Sequence, residues 1–216
     1  MNRVASYEVK VCGMRTAENI ARVAALSPDY LGFVFVPESP RYVGHAIGKE
    51  VLDLLPTTIS TVGVFRNQTS TFVEGAVEGL GLRIVQLHGA ESRDFMRSLK
   101  TALPSVQIWR AVSISTREDV SKLEDEAEGV DRFVLDSGMG GTGRAFDWQW
   151  LMNYRAPIPF MLAGGIGVTN IDIALDISRQ VEGLVGFDIN SRVEVGPAIK
   201  DVEKVKGVLD KVRNWV

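Results

Sequence analysis

The chain of 216 residues contains a single cysteine, Cys12, and only two histidines, His45 and His88. One thiol cannot form an internal bridge, so the fold is not stapled by disulfides, and a reducing compartment suits the protein best. No HExxH pattern or multi-Cys/His cluster is present, and isolated carboxylates do not define a metal site, so no metal is expected. No stretch approaches the roughly 20 apolar residues that a membrane helix needs. Arg3, Glu8 and Lys10 interrupt the first ten residues, which therefore lack the apolar core of a secretory signal. These absences predict a cytoplasmic protein with no membrane partner. An excess of positive charge is lacking too: the net charge is −3, acids and bases are interspersed, and no basic patch is available to follow a nucleic-acid backbone. Pro/Ser-rich linkers and low-complexity tracts are absent, and with 45% hydrophobic residues one domain over 1–216 can bury its own core.

What is present is alternation. Short runs rich in Val, Ile, Phe and Leu are expected as strands at Glu8–Cys12, Tyr30–Val36, Thr61–Phe65, Arg83–Leu87, Gln107–Val112, Arg132–Asp136, Phe160–Ala163 and Gly183–Asp188. Segments of helical period lie between them at Ala17–Leu26, Ser70–Leu80, Ser92–Leu103, Arg117–Ala127 and Asn170–Ile177, with Val202–Trp215 last and weaker signals at 43–55 and 147–153. Thr16 and Thr169 suit the N-cap regions of the helices that follow them. Strict alternation implies parallel strands, since each crossover returns the chain to the same end of the sheet. An open doubly wound sheet usually carries its glycine fingerprint at the first βα turn, where this chain has only Cys12-Gly13-Met14; the glycine-rich turns come late. Eight βα units in this length predict an α/β fold of the single-domain (β/α)8 TIM-barrel type, whose active sites lie at the C-terminal ends of the strands.

Position at a strand end therefore becomes a criterion. Cys12 closes the first strand, with Lys10 on the same face. A buried cysteine acting as a small hydrophobe is the ordinary alternative, and a surface cation is the ordinary role for Lys10; together, they suit a general base whose thiolate the lysine favours. Arg41 follows a loop stiffened by Pro37 and Pro40 and suits a planar carboxylate, against the alternative of a solvent-facing turn residue. His88, after the fourth strand, reads better as a helper or rim residue than as the main acid or base; His45 reads as structural. Asp136 ends the sixth strand after three apolar residues, where burial raises a carboxyl pKa and equips it to donate a proton, with turn capping as the alternative. Gly140, Gly141, Thr142 and Gly143 then make a loop able to fold over a ligand or simply to flex. Gly164 and Gly165 after the seventh strand, with Asn190 and Ser191 after the eighth, occupy the recurring phosphate position of such barrels.

Taken in order, Lys10-x-Cys12-Gly13, Gly32-Phe33-x-Phe35 with Ser39-Pro40-Arg41, Val62-Gly63-Val64-Phe65, Val85-Gln86-Leu87-His88-Gly89, Leu135-Asp136, Gly140-Gly141-Thr142-Gly143 and Leu162-Ala163-Gly164-Gly165 resemble the phosphoribosylanthranilate isomerase family. Each motif alone is weak; the ordered set is specific. The resemblance implies an isomerase of tryptophan biosynthesis performing an Amadori rearrangement on a small phosphoribosyl substrate, without an external cofactor. It assigns Cys12 as general base, Asp136 as general acid, Arg41 to the anthranilate carboxylate and the late loops to phosphate. Monomer and homodimer remain equally open.

Two departures stand out. Where the family usually has Asp-Val-Ser-Ser-Gly-Val-Glu, this chain has Asp188-Ile189-Asn190-Ser191-Arg192-Val193-Glu194, and Ala198 replaces a common glycine at what is expected to be the start of the last helix. The competing functions are a ProFAR isomerase of histidine synthesis or a bifunctional isomerase, and a non-catalytic phosphate-binding barrel. The first resembles two half-barrel repeats with a catalytic Asp on each, whereas the first strand here ends in Cys12 and no half-chain repeat is evident; the second is disfavoured by intact candidates for both acid and base.

Overall fold

In the computed structural model, described for residues 7–44, 46–137, 146–152 and 154–215, eight parallel strands close into a barrel in sequence order. They are β1 (Glu8–Val11), β2 (Tyr30–Val34), β3 (Ser60–Phe65), β4 (Ile84–Leu87), β5 (Gln107–Ile114), β6 (Arg132–Ser137), β7 (Arg155–Leu162) and β8 (Glu182–Ile189). The helices are α1 (Ala17–Ala24), α2 (Lys49–Leu52), α3 (Ser70–Leu80), α4 (Arg93–Ala102), α5 (Arg117–Ser121), α6 (Leu123–Glu126), α7 (Ile171–Ser178) and α8 (Val202–Arg213). A small hairpin of β9 (Glu194–Gly196) and β10 (Ile199–Lys200) precedes α8. The barrel expected from the alternation is therefore the one found.

The period-two pattern of each strand sorts its side chains. Outward residues such as Val9, Val11, Leu31, Phe33, Phe133 and Leu135 join the main core against the helices. Inward residues form a second cluster of Val62, Ile84, Trp109, Ala111, Val134, Met161 and Ala163, with Cys12, Val34, Val36 and Val64 above it toward the mouth. Such layers make the barrel interior a packed core rather than a pore. At the opposite end, the Arg132 guanidinium lies 4.7 Å from the Trp109 ring centroid and bonds Glu8 and Tyr30, capping the interior with a cation–π and ion-pair cluster.

Local differences from expectation have local causes. α3 matches its expected range, with Thr69 accepting a bond from Phe72 N and Gly81 ending the helix at φ 67°. Thr16 caps α1 in extended geometry without a side-chain bond, while α7 is capped by Asn170 rather than Thr169. The helix expected over Arg117–Ala127 is two pieces, because Lys122 adopts ψ −6°. Of 43–55 only α2 is helical, and within 147–153 Trp148–Leu151 forms a 3-10 turn. β7 begins five residues before the expected Phe160: Pro157 and Pro159 lack donors, and the pairing with β8 shifts register between Arg155 and Phe160.

Ala198 is not at the start of α8 but in the turn between β9 and β10, at φ 65° and 1% exposed. A non-glycine residue there bears about 1–2 kcal/mol of left-handed strain, while its buried methyl returns up to about 0.8 kcal/mol. Ala198→Gly should accordingly raise stability by a net of about 0.2–1.2 kcal/mol in urea unfolding; a loss of stability would show that the methyl's packing outweighs the backbone strain.

Candidate active site

At the C-terminal ends of the strands, a cavity of about 710 Å³ is lined by Cys12, Arg41, His88, Asp136, Gly164, Gly165, Asn190 and Ser191, together with Arg66, Gln86, Ser113, Ser137 and Asp188. The described residues nominated at the strand ends thus meet in one place. Gly140, Gly141, Thr142, Gly143 and His45 lie outside the described residues.

Lys10 is fully buried, not the surface cation that is its ordinary role, because its inward position on β1 faces Asp188 on β8. Its Nζ donates to Asp188 Oδ2 at 2.6 Å. Burial works against its charge, but Asp188 and Cys12 outweigh it and raise its pKa. Gly32 on the neighbouring strand makes room for both groups: a β-carbon there would lie 2.9 Å from Cys12 Sγ and 3.2 Å from Lys10 Cε. For Cys12 itself, burial pushes the thiol pKa up, and although Lys10 pulls it down as expected, burial wins. In the free protein the expected bias toward thiolate is therefore corrected: desolvation leaves the thiol form dominant at neutral pH.

Asp136 is shifted as anticipated. Burial first and the charge of Asp188 second push its pKa up to about 6, against bonds from Ser137. Its neighbour across the seam is Gly164, at φ 81°, where a β-carbon would stand 2.7 Å from Asp136 Oδ1. His88 Nε2 lies 4.0 Å from Asp136 Oδ2, too long for a hydrogen bond. Burial, then Lys10, lower the His88 pKa, so the imidazole is neutral at pH 7 and does not form an ion pair with Asp136.

Arg41 reaches across β1 to the loop after β8. Its Nε and Nη2 donate to the two Glu194 oxygens at 2.9 and 2.7 Å. Glu194 also accepts from Lys200 Nζ at 2.6 Å and Ala198 N at 3.1 Å, and Lys200 bonds Asn190 Oδ1 at 2.7 Å. Burial alone would raise the Glu194 pKa, but Arg41 and Lys200 together lower it. Gly13, at φ 77°, lets this arm pass, since a β-carbon there would meet Arg41 Cδ at 2.7 Å. Gly164 and Gly165 both take positive φ opposite Asn190 and Ser191. Arg192, in a 3-10 turn over Ser191–Val193, packs its Cβ where a side chain at Gly167 would come within 2.7 Å.

Asp188, Glu194, Lys200, Gln86 and Arg66 were not singled out from the sequence. Asp188 had a readable signal, an acid ending the apolar run Val185-Gly186-Phe187, much as Asp136 ends its strand. Glu194 matches the end of the family's run after the eighth strand, but its role, like that of Lys200, depends on a hairpin folding back under Arg41.

A family model described as N-(5'-phosphoribosyl)anthranilate isomerase matches residues 9–211. A relative from Crocosphaera subtropica with the same name is 36% identical, covering 95% of this chain and 98% of the relative. Among solved structures, the phosphoribosyl anthranilate isomerase of Thermotoga maritima is 28% identical at TM-score 0.85, covering 95% of this chain and 98% of that one. A further solved phosphoribosyl anthranilate isomerase, in complex with reduced 1-(o-carboxyphenylamino)-1-deoxyribulose 5-phosphate, is 27% identical at TM-score 0.83 and covers 95% of this chain and 98% of that one.

The raised Asp136 pKa carries a stability cost with a defined sign. A carboxyl whose folded pKa lies near 6 rather than 3.8 contributes stability below 3.8 that is lost as pH rises through 6. Asp136→Asn should therefore stabilise the fold by about 2–3 kcal/mol at pH 8, measured by urea unfolding, with the gain shrinking toward pH 5. A gain independent of pH would mean that the ionised carboxylate is not the source.

Proposed function

The chain belongs to the N-(5'-phosphoribosyl)anthranilate isomerase family, and on that premise we propose how its own residues carry out the isomerisation. It is an isomerase of tryptophan biosynthesis with a small-molecule phosphoribosyl ligand. The observation that carries the mechanistic reading is the placement of Cys12 and Asp136 on different sides of one cavity, each desolvated, with the glycine loops after β7 and β8 at its edge.

The phosphate binds at Gly164, Gly165, Asn190 and Ser191, pinning the ribose between the two groups. Asp188 Oδ1 and Gln86 Oε1 are buried acceptors without a partner among the described residues, and both residues line the cavity. Sugar hydroxyls supply the donors that such atoms require. Asp136 protonates the ring oxygen, the C1′–O bond breaks, and the nitrogen lone pair forms the C1′ iminium. Cys12 as thiolate removes the C2′ proton, and those electrons form the enolamine and neutralise the nitrogen. Protonation at C1′ with loss of the C2′ hydroxyl proton then gives the aminoketose. Electrons stay within the substrate, so acid, base and positioning suffice. A thiol base stays usable in a reducing compartment.

The two perturbed pKa values give the reaction an unusual protonation requirement. Between pH 6 and the alkaline side of the ordinary thiol value of about 8.5, the dominant form is thiol plus carboxylate. The reactive form has the same number of protons with one moved, thiolate plus carboxylic acid. As Asp136 gives its proton to the ring oxygen, the developing iminium places positive charge beside the sulfur and favours the thiolate that removes the C2′ proton. Because both tautomers titrate alike, kcat/KM should be bell-shaped, with an acid limb near 6 and an alkaline limb above the ordinary thiol value. Asp136→Asn should erase the acid limb in whatever activity remains; its persistence would give that limb to another group, His88 first.

Cys12→Ala and Asp136→Asn should each lower kcat by about 10²-fold or more while product still binds. The assay follows loss of fluorescence from N-(5'-phosphoribosyl)anthranilate made in situ, backed by complementation of a tryptophan auxotroph lacking only this isomerase. Near-wild-type kcat in either folded variant removes that residue from the mechanism, and a folded wild type that neither turns over nor complements overturns the reading in favour of a binding barrel.

A further inference from the structure

Arg41 is the residue assigned to the substrate carboxylate, yet its Nε/Nη2 edge, one of the two that grip a carboxylate with parallel bonds, is already filled by Glu194. What remains for a ligand is the other edge of a guanidinium whose charge is partly neutralised. The cavity wall holds a second arginine in a different state. Arg66 follows β3 directly, is exposed, lines the same cavity and has no hydrogen bond or ion pair among the described residues.

The backbone beneath Arg66 is held in place from several sides. Asn67 sits at φ 56°, its amide donates to Glu91 Oε1 at 2.7 Å, and its Oδ1 accepts from Ala90 N at 2.7 Å. Glu91 is itself buried and fixed by Arg110 Nη1 at 2.8 Å and Gly89 N at 2.9 Å. Gln68 Nε2 donates to Phe35 O, and Phe35 N to Val64 O, tying this loop to the β2 end from which the Arg41 segment departs. A left-handed non-glycine residue with both its amide and its side chain engaged is a fixed platform, so binding an anion would order only the arginine side chain. Between the two arginines, Val34, Val36, Val64 and Pro40 give the cavity an apolar wall suited to a flat aromatic ring.

We propose that Arg66 is a second carboxylate-recognising residue, which, with the free edge of Arg41, selects an aromatic amine bearing an ortho carboxylate over one without it. The inference rests on the reading of the cavity as the site of a carboxyphenylamino sugar phosphate. Its physical basis is charge and placement: the phosphate loops follow β7 and β8, on the far side of the ring of strands from β3, so the two anionic ends of one ligand meet separate cations.

The test is calorimetric and independent of turnover. Reduced 1-(o-carboxyphenylamino)-1-deoxyribulose 5-phosphate and the corresponding phenylamino compound without the carboxylate are titrated into the wild type, Arg66→Ala and Arg66→Lys. Arg66→Ala should reduce the preference for the carboxylated ligand by about tenfold through the loss of one charged contact, with the phenylamino compound bound as before. Arg66→Lys should recover part of it, because a point charge replaces a planar fork. Unchanged preference in Arg66→Ala, or equal weakening of both ligands, overturns the proposal. A wild type that shows the Arg66-dependent preference but does not isomerise substrate would defeat the mechanistic reading and leave this inference standing; a wild type with no preference for the carboxylate defeats the inference whatever its activity.

Discussion

A lysine ammonium with no solvent exposure lies beneath the mouth of the barrel, 2.6 Å from an aspartate carried by the strand at the other end of the chain. Lys10 and Asp188 are register partners on β1 and β8, the pair of strands whose meeting closes the sheet. Removing either partner would strand a buried charge, at a cost of about 3–5 kcal/mol. Closure and the site's electric field therefore share one interaction. Lys10 acts on the thiol of Cys12, the imidazole of His88 and the carboxyl of Asp136, while Asp188 pushes the Cys12 and Asp136 pKa values up. Cys12, His88 and Asp136 therefore sit in the field of a pair that spans the β1–β8 junction of the barrel.

That field acts through close packing. Gly32 and Gly164 are the positions where a single methyl would collide with Cys12 Sγ and Asp136 Oδ1, respectively. The Cys12 thiol and the Asp136 carboxyl are thus pressed against neighbouring backbone, and burial is the largest influence on each of their pKa values. Packed this way, the neutral thiol and the ionised carboxylate are the dominant forms of Cys12 and Asp136 at neutral pH. The thiol is not exposed as a free nucleophile, since Cys12 is only 6% accessible.

A second cross-barrel link sets the shape of the opening. Glu194, at the start of the hairpin after β8, gathers Arg41 from the loop after β2 and Lys200 from the hairpin's return strand. Lys200 N and O are in turn held by the Asn19 side chain on α1. Charge-assisted bonds thus join the segments after β2 and β8, and amide bonds to the Lys200 backbone tie them to the helix after β1. On the other side, the loop after β3 is tied to Glu91 through Asn67, next to Arg66. One arginine is bonded to Glu194 and the other has no hydrogen bond or ion pair among the described residues, a distinction that residue type alone does not express.

The sequence by itself determined the architecture and the addresses of the principal groups. Short apolar runs alternating with segments of helical period, and the late glycine turns, dictated eight parallel units, and closure placed Cys12, Arg41, His88, Asp136, Gly164, Gly165, Asn190 and Ser191 at one mouth. Those features are legible because they are local: period two along a strand and a residue's distance from its end need only neighbouring positions. Tertiary structure decided what pairing across the barrel controls. It buried Lys10 against Asp188, made desolvation stronger than the lysine's pull on Cys12, turned one edge of Arg41 toward Glu194, and placed Ala198 in a left-handed turn rather than a helix start. Each outcome joins residues distant in the chain, and burial and charge compensation depend on which groups finally share a space.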